Sequence, residues 1–122
     1  MLNTAEQDTV IIRSGRLKKR PEFLYVAGKG NKWVSDSVIV QSIETDNGGV
    51  RFGYTATKKI GNAVIRNRAK RRLRAAILEI SRSEKLKSAD IVLIARDKTK
   101  DQPWDKIIKD VRWCLKRLDI IL

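Results

Sequence analysis

Apolar and polar positions divide this chain into segments with different periods. Residues 1–15 show no sustained period and are expected to form a flexible N-terminal arm. A basic run, Arg16-Leu17-Lys18-Lys19-Arg20, then meets Pro21, a residue tolerated at the start of a helix because its missing N–H needs no partner there. Phe23, Val26 and Ala27 fall on one face of a short helix, which Gly28 and Gly30 end. Residues 33–44 read as extended, with Val38, Val40 and Ser42 on one face and Ile39, Gln41 and Ile43 on the other. Asp46-Asn47-Gly48-Gly49 is a turn signal. Beyond it Val50, Phe52, Tyr54 and Ala56 alternate with Arg51, Gly53, Thr55 and Thr57, so the two extended segments are expected to pair as a hairpin.

The period then lengthens. Asn62 is placed to cap a long helix that runs to about Ser81, with Ile65, Ala69, Leu73, Ala76, Ile77 and Ile80 at helical spacing. Residues 91–95 are all apolar and read as a strand buried on both faces. Asp101 or Gln102, before Pro103, opens a last helix whose apolar stripe is Trp104, Ile107, Ile108, Val111, Leu115 and Leu118. Trp104 is therefore expected in the core. The order of helix, strands, helix, strand and helix argues for an α+β fold, with helices packed on a small sheet.

A chain of 122 residues makes one domain, expected over 16–122. The charge changes this picture more than the length does. Lys plus Arg is 27 and Asp plus Glu is 14, a net +13 on a chain that is 42% hydrophobic and so able to fold. Nucleic acid is the usual partner of such a charge, ahead of an anionic membrane. The chain has no His, which excludes a His general base, a Ser-His-Asp triad and His metal ligands. Its one cysteine, Cys114, excludes a disulfide framework and a Cys-rich zinc site, and reads as a small buried hydrophobe. The start MLNTAEQDTVII lacks the features of a signal peptide, and no apolar run approaches the ~20 residues of a membrane span, so a cytoplasmic protein is expected.

The candidate chemistry lies between Lys58 and Arg74. This segment carries Lys58, Lys59, Arg66, Arg68, Lys70, Arg71, Arg72 and Arg74 and no acid. On a helix these cations fill the arc left by the apolar stripe. Pairs such as Arg66/Lys70 and Lys70/Arg74 repel, and the N-terminal half sits on the positive end of the helix dipole. A merely solvated face carries mixed charge. Arg predominates, and its planar fork fits phosphate oxygens or a guanine edge, while Asn67 adds a donor and an acceptor.

The segment KKIGNAVIRNRAKRRLR at 58–74 resembles the signature of the protein subunit of bacterial ribonuclease P. RLKKRPEF at 16–23, RFGYTATKK at 51–59 and DIVLIAR at 90–96 are similar to further blocks of that family, in the same order. The resemblance covers about 16–118. It implies an α-β-β-β-α-β-α two-layer sandwich with a four-stranded sheet, a left-handed βαβ crossover and a short extra strand near residues 31–34. It also implies a role in removing the 5′ leader of precursor tRNA. The catalytic RNA subunit would perform the hydrolysis with magnesium that it mainly holds itself, and the protein would bind no metal and supply no catalytic residue. Arg66, Asn67, Arg68, Lys70, Arg71 and Arg74 match the positions that dock on the RNA subunit. Phe23 matches the first-helix aromatic that faces the leader. Where the family often has a second aromatic one turn later this chain has Ala27, and residues 38–41 offer none, which leaves Tyr25 and Trp33 as possible replacements.

Other residues carry two readings. Lys58 and Lys59 lead into the basic helix and are assigned to the leader. Arg96, with Lys98 beside it, either lines the leader cleft or is simply exposed. Trp113 falls opposite the apolar stripe of the last helix; it either packs on a basic side-chain stem or contacts a partner. The partners expected are the catalytic RNA and precursor tRNA, without DNA or membrane. An alternative is a ribosomal or other structural RNA-binding protein with no part in cleavage, which explains the charge but not the four ordered blocks. A protein-only nuclease is opposed by the missing His and the scattered carboxylates.

Overall fold

A computed structural model describes residues 15–46 and 48–122. The elements are β1 (Gly15–Arg16), α1 (Arg20–Lys29), β2 (Asn31–Val34), β3 (Val38–Glu44), β4 (Val50–Thr55), a 3-10 turn (Lys58–Ile60), α2 (Ala63–Ser83), β5 (Ala89–Ala95) and α3 (Trp104–Arg117). They form the α+β sandwich expected, with β2 at the expected place. The strand order is β1-β4-β5-β3-β2. The two-residue β1, parallel to β4, is an edge strand that patterning does not detect. Of the arm expected over 1–15, only Gly15 lies within the described residues.

The expected hairpin between the segments flanking residues 46–49 does not form. β5 lies between β3 and β4, antiparallel to the first and parallel to the second. The reason is the apolar run of β5 itself. Ile91 and Leu93 face one core while Val92 and Ile94 face another, so the strand needs a neighbour on each edge. The turn signal is real, but its ends are tied to the residue before β5. The Ser88 Oγ receives the Gly48 N–H at 3.2 Å and donates to the Gly49 carbonyl at 3.0 Å, while the Thr45 N–H reaches the Ser88 carbonyl at 3.0 Å. Asn47 lies outside the described residues. The extended run 33–44 is in fact two strands, β2 and β3, joined by a turn in which Ser35 N–H bonds the Val38 carbonyl at 2.9 Å.

The main core fills the space between one face of the sheet and α2 and α3. Val38, Val40, Phe52, Ile91 and Leu93 from the strands meet Leu73, Ile77, Ile80, Ile107, Val111 and Leu115. Burying each such side chain stabilises the fold by about 1.5–3 kcal/mol. A smaller core on the opposite face holds Leu17 and Val26, with Phe23, Ile43 and Ile94 packed against it and Val92 beneath. An ion-pair bridge pins α1 there. Arg51 stands next to Asp90 across the β4–β5 ladder and bonds both its oxygens, at 2.9 and 2.7 Å, while its other arm reaches Glu22 of α1 at 2.8 Å. Glu22 also accepts the Lys18 and Lys19 backbone N–H groups at the helix start, both at 3.0 Å.

Candidate nucleic-acid interface

The start of α2 is built by local sequence. The Asn62 side chain accepts the Ile65 N–H at 3.0 Å, the cap that its position predicts. Gly61 has φ +145°, and a Cβ there would lie 2.9 Å from the Ile65 side chain, so only glycine fits. The preceding 3-10 turn buries Ile60 and leaves Lys58 and Lys59 exposed. Both α2 and this turn follow the C-terminal end of β4. Because β4 and β5 are parallel, Arg96 lies at the same end of the sheet.

The signature cations are held without acids. Arg66 donates to the Gly61 carbonyl at 3.1 Å and Arg68 to the Lys100 carbonyl at 3.3 Å. The Arg74 guanidinium lies over the Tyr54 ring at 5.1 Å, and its buried Nε has no hydrogen-bond partner among the described residues. Burial pushes the Tyr54 hydroxyl up to about 12, so it stays neutral beneath the cation. Asn67, Arg68 and Arg71 are exposed, and Lys70 is half-buried. Among the described residues, the ion pairs are made by Arg51, Lys87, Lys100, Lys106 and Arg112, and by no cation between Lys58 and Arg74.

Arg72 differs from its neighbours. Its two arms donate to the Thr99 carbonyl at 2.7 Å and the Gln102 carbonyl at 2.6 Å, and its guanidinium stands 6.0 Å from the Trp104 ring centre. Burial, and then the Arg68 charge, push its pKa below the ordinary value. Arg72 thus ties the loop before α3 to α2. Its place at the edge of the apolar stripe was the sequence signal for this. A buried polar group fixes the same loop from beneath. Ser37 donates to Asp110 at 2.6 Å, Gln102 donates to Ser37 at 3.2 Å, and Arg96 N–H reaches Thr99 Oγ1 at 2.7 Å. Nothing in the spacing of these residues announces that network.

The residues assigned to the leader do not all share one surface. The Phe23 ring is half-buried on the smaller core and lies against Gly53 of β4, where a Cβ would come within 2.5 Å of the ring. Ala27 is exposed, and so is Tyr25 at 57%. Trp33 packs with the main core, on the other side of the sheet from Phe23. The Arg96 guanidinium donates to the Ser35 carbonyl at 2.6 Å and lines a groove with Lys106 and Lys109 of α3.

Two expectations for α3 need correction. Trp104 is 41% exposed and outside the core: it is the first residue of the helix, and its ring stands beside the Arg72 guanidinium. Asp101 and Gln102 belong to the preceding turn, and Pro103 takes the cap position. Cys114 is buried, as expected. No described helix is long and apolar enough to cross a membrane.

Comparison with known proteins agrees with this geometry. The sequence profile of the Ribonuclease P family matches residues 12–119. The ribonuclease P protein component of Gluconacetobacter diazotrophicus is 43% identical over 109 residues, covering 88% of this chain and 94% of that protein. The one from Paramagnetospirillum magneticum is 37% identical over 113 residues, covering 87% and 84%. The ribonuclease P protein of Staphylococcus aureus superposes with a TM-score of 0.75 at 28% identity, covering 90% of this chain and 100% of the other. The chain therefore belongs to the ribonuclease P protein family, the protein component of the ribonucleoprotein that processes the 5′ end of tRNA.

Proposed function

We propose that this chain binds RNA through α2 and through separate leader contacts, and leaves the hydrolysis to a catalytic RNA subunit. The exposed side of α2, with Arg66, Asn67, Arg68, Lys70, Arg71 and Arg74, docks on that subunit. Phe23, Lys58, Lys59 and Arg96 serve the 5′ leader of precursor tRNA, with the Phe23 ring as the stacking element. The observation that carries this reading is that, among the described residues, no cation between Lys58 and Arg74 forms an ion pair. The α2 cations are positioned by backbone carbonyls and by the Tyr54 ring, which orient a guanidinium without neutralising it. Phosphates are the missing counter-ions. Glu22 and Asp90 are committed to Arg51, and Asp110 to Lys106.

In this reading magnesium in the assembled enzyme is held mainly by the RNA. The described residues contain no cluster of three or more potential ligands, and the chain has no His. No chemical step is therefore assigned to a protein side chain. The protein's cations lower the repulsion between two polyanions, work otherwise left to magnesium.

The test is cleavage of precursor tRNA by the protein alone, the RNA subunit alone and both together, across a magnesium titration. The protein alone is expected to be inactive, and the complex to cleave at lower magnesium than the RNA. EDTA-sensitive cleavage by RNA-free protein would overturn the division of labour. Arg71→Ala, at an exposed site, should weaken RNA binding and reduce the slope of log K against log salt by about 0.7–0.9. An unchanged slope would remove Arg71 from the interface.

A further inference from the structure

We infer that the outer face of α3, centred on Trp113, is an additional RNA-contact surface on which an unpaired nucleotide of the RNA subunit stacks. This rests on the reading that α2 docks on that subunit, since the two helices form one continuous surface.

Trp113 is 45% exposed. It stands between two grooves. One, of about 510 Å³, runs along α3 past Trp104, Ile108 and Arg112. The other, of about 490 Å³, lies against Val34, Arg96 and Lys106. Lys109 lines both.

The ring is held ready for stacking. Trp33 packs against it edge-on, with ring centres 5.8 Å apart and an interplanar angle of 74°. The Arg117 guanidinium lies over Trp33 at 4.7 Å and supports the assembly from the side. One turn from Trp113 in each direction along the helix stand Lys109 and Lys116, together with Arg117. A rigid aromatic face bracketed by cations is the arrangement that holds a base and its flanking phosphates.

The acids of this surface do not cancel that charge at the ring. Asp36 and Asp110 both pair with Lys106, at 3.9 and 3.0 Å, and Asp110 also accepts from Ser37. Asp105 and Glu79 line the groove along α3, where Lys109, Arg112 and Lys116 line it too. The second argument is continuity. Arg68 bonds the Lys100 carbonyl, Arg72 bonds the loop before α3 and faces Trp104, and Trp104 opens the groove that leads to Trp113. RNA lying along the exposed side of α2 meets this aromatic track beside Arg68 and Arg72.

The experiment measures affinity of the full-length chain for the RNA subunit at fixed salt, with sedimentation of the free protein and a denaturant melt beside it. Trp113→Ala should weaken binding roughly 5- to 150-fold, and Trp113→Phe should retain most of it. Lys109→Glu, at an exposed site with no packing role, should weaken binding and lower its salt dependence, and keeps the test alive if Trp113→Ala unfolds. Unchanged affinity in Lys109→Glu and in folded Trp113 variants, with Arg71→Ala still weakened, overturns this inference alone. Unchanged affinity in all of them overturns the α2 reading as well. Loss of a dimer in Trp113→Ala, without loss of RNA affinity, overturns it in favour of a second copy of the chain.

Discussion

Gly53→Ala tests whether the Phe23 ring is seated where the leader surface requires it. An ideal Cβ on Gly53 would lie 2.5 Å from Phe23 Cε2, 2.6 Å from Cζ and 3.2 Å from Leu17 Cβ. The first two distances are far inside van der Waals contact, so the ring must move. Overpacking of this kind costs about 1–3 kcal/mol. Against it stands the strand preference for Ala over Gly, worth up to ~1 kcal/mol. In the natural chain the net effect should be a loss of about 1–2 kcal/mol. Phe23 is half-buried, so Phe23→Ala should cost less than the ~3–5 kcal/mol of a fully buried ring.

The two effects should not add. In a Phe23→Ala background the clash is gone, and Gly53→Ala should be neutral or mildly stabilising. A double-mutant cycle by urea melts should therefore show coupling of about 1–2 kcal/mol. A functional arm separates packing from stacking. Gly53→Ala displaces the ring without deleting it, so the reconstituted holoenzyme should lose affinity for a long-leader precursor and keep it for one whose leader is too short to reach α1. If Gly53→Ala costs the same with and without Phe23, the ring is not seated on Gly53. An equal loss for both leader lengths would reject the stacking role.

Three further outcomes follow from the contacts around the site. Hydrogen bonds from Lys19 and Lys18 backbone, and the Arg51 contact, hold the Glu22 carboxyl down at about 2 against an ordinary 4.5. Its contribution to stability is therefore complete above pH ~4.5 and is lost as pH falls towards 2; Glu22→Gln should flatten that part of a stability–pH profile measured by denaturant melts. Arg72→Lys should lose one or both carbonyl bonds of the loop before α3, each worth about 1.5–3 kcal/mol, and a melt equal to that of the natural chain would show the fork is not needed. Ser37→Ala should cost about 1–3 kcal/mol by leaving buried Asp110 with one fewer donor, with protection of loop amides near residue 99 falling in hydrogen exchange.

The elements and their buried faces were legible wherever one period ran unbroken. The Asn62 cap, the stripe from Ala69 to Ile80 and the two-sided burial of β5 all stand where spacing puts them. Pairing was not legible, because alternation states which residues face the core and not which strand lies alongside. The signal that could have corrected the hairpin was present: a run apolar on both faces must be central, and only β3 and β4 were long enough to flank it. Trp104 was misplaced for a related reason. A helical stripe is read as continuous, but Trp104 is the first residue of α3, and its ring lies beside the Arg72 guanidinium rather than in the core that Ile107 joins three residues later. At the candidate interface, sequence identified the cations and not their supports. Arg66, Arg68 and Arg72 are oriented by backbone carbonyls, groups that every residue carries and that no pattern marks.

Burial of its apolar stripe explains how so charged a helix persists. Like charges one turn apart cost a few tenths of a kcal/mol per pair, and the helix has several such pairs. Burial of Leu73, Ile77 and Ile80 outweighs this, at about 1.5–3 kcal/mol for each side chain. The charge is thus tolerated by the core rather than balanced on the surface. Replacing exposed Arg71 by Glu should accordingly stabilise the free protein slightly, through relief of repulsion from neighbouring cations, while weakening RNA binding. Opposite signs for stability and affinity at one residue are what a functional charge predicts and a structural charge does not. Melts of the free protein and binding to the RNA subunit read the two quantities separately. Loss of both together would show Arg71 to be part of the scaffold.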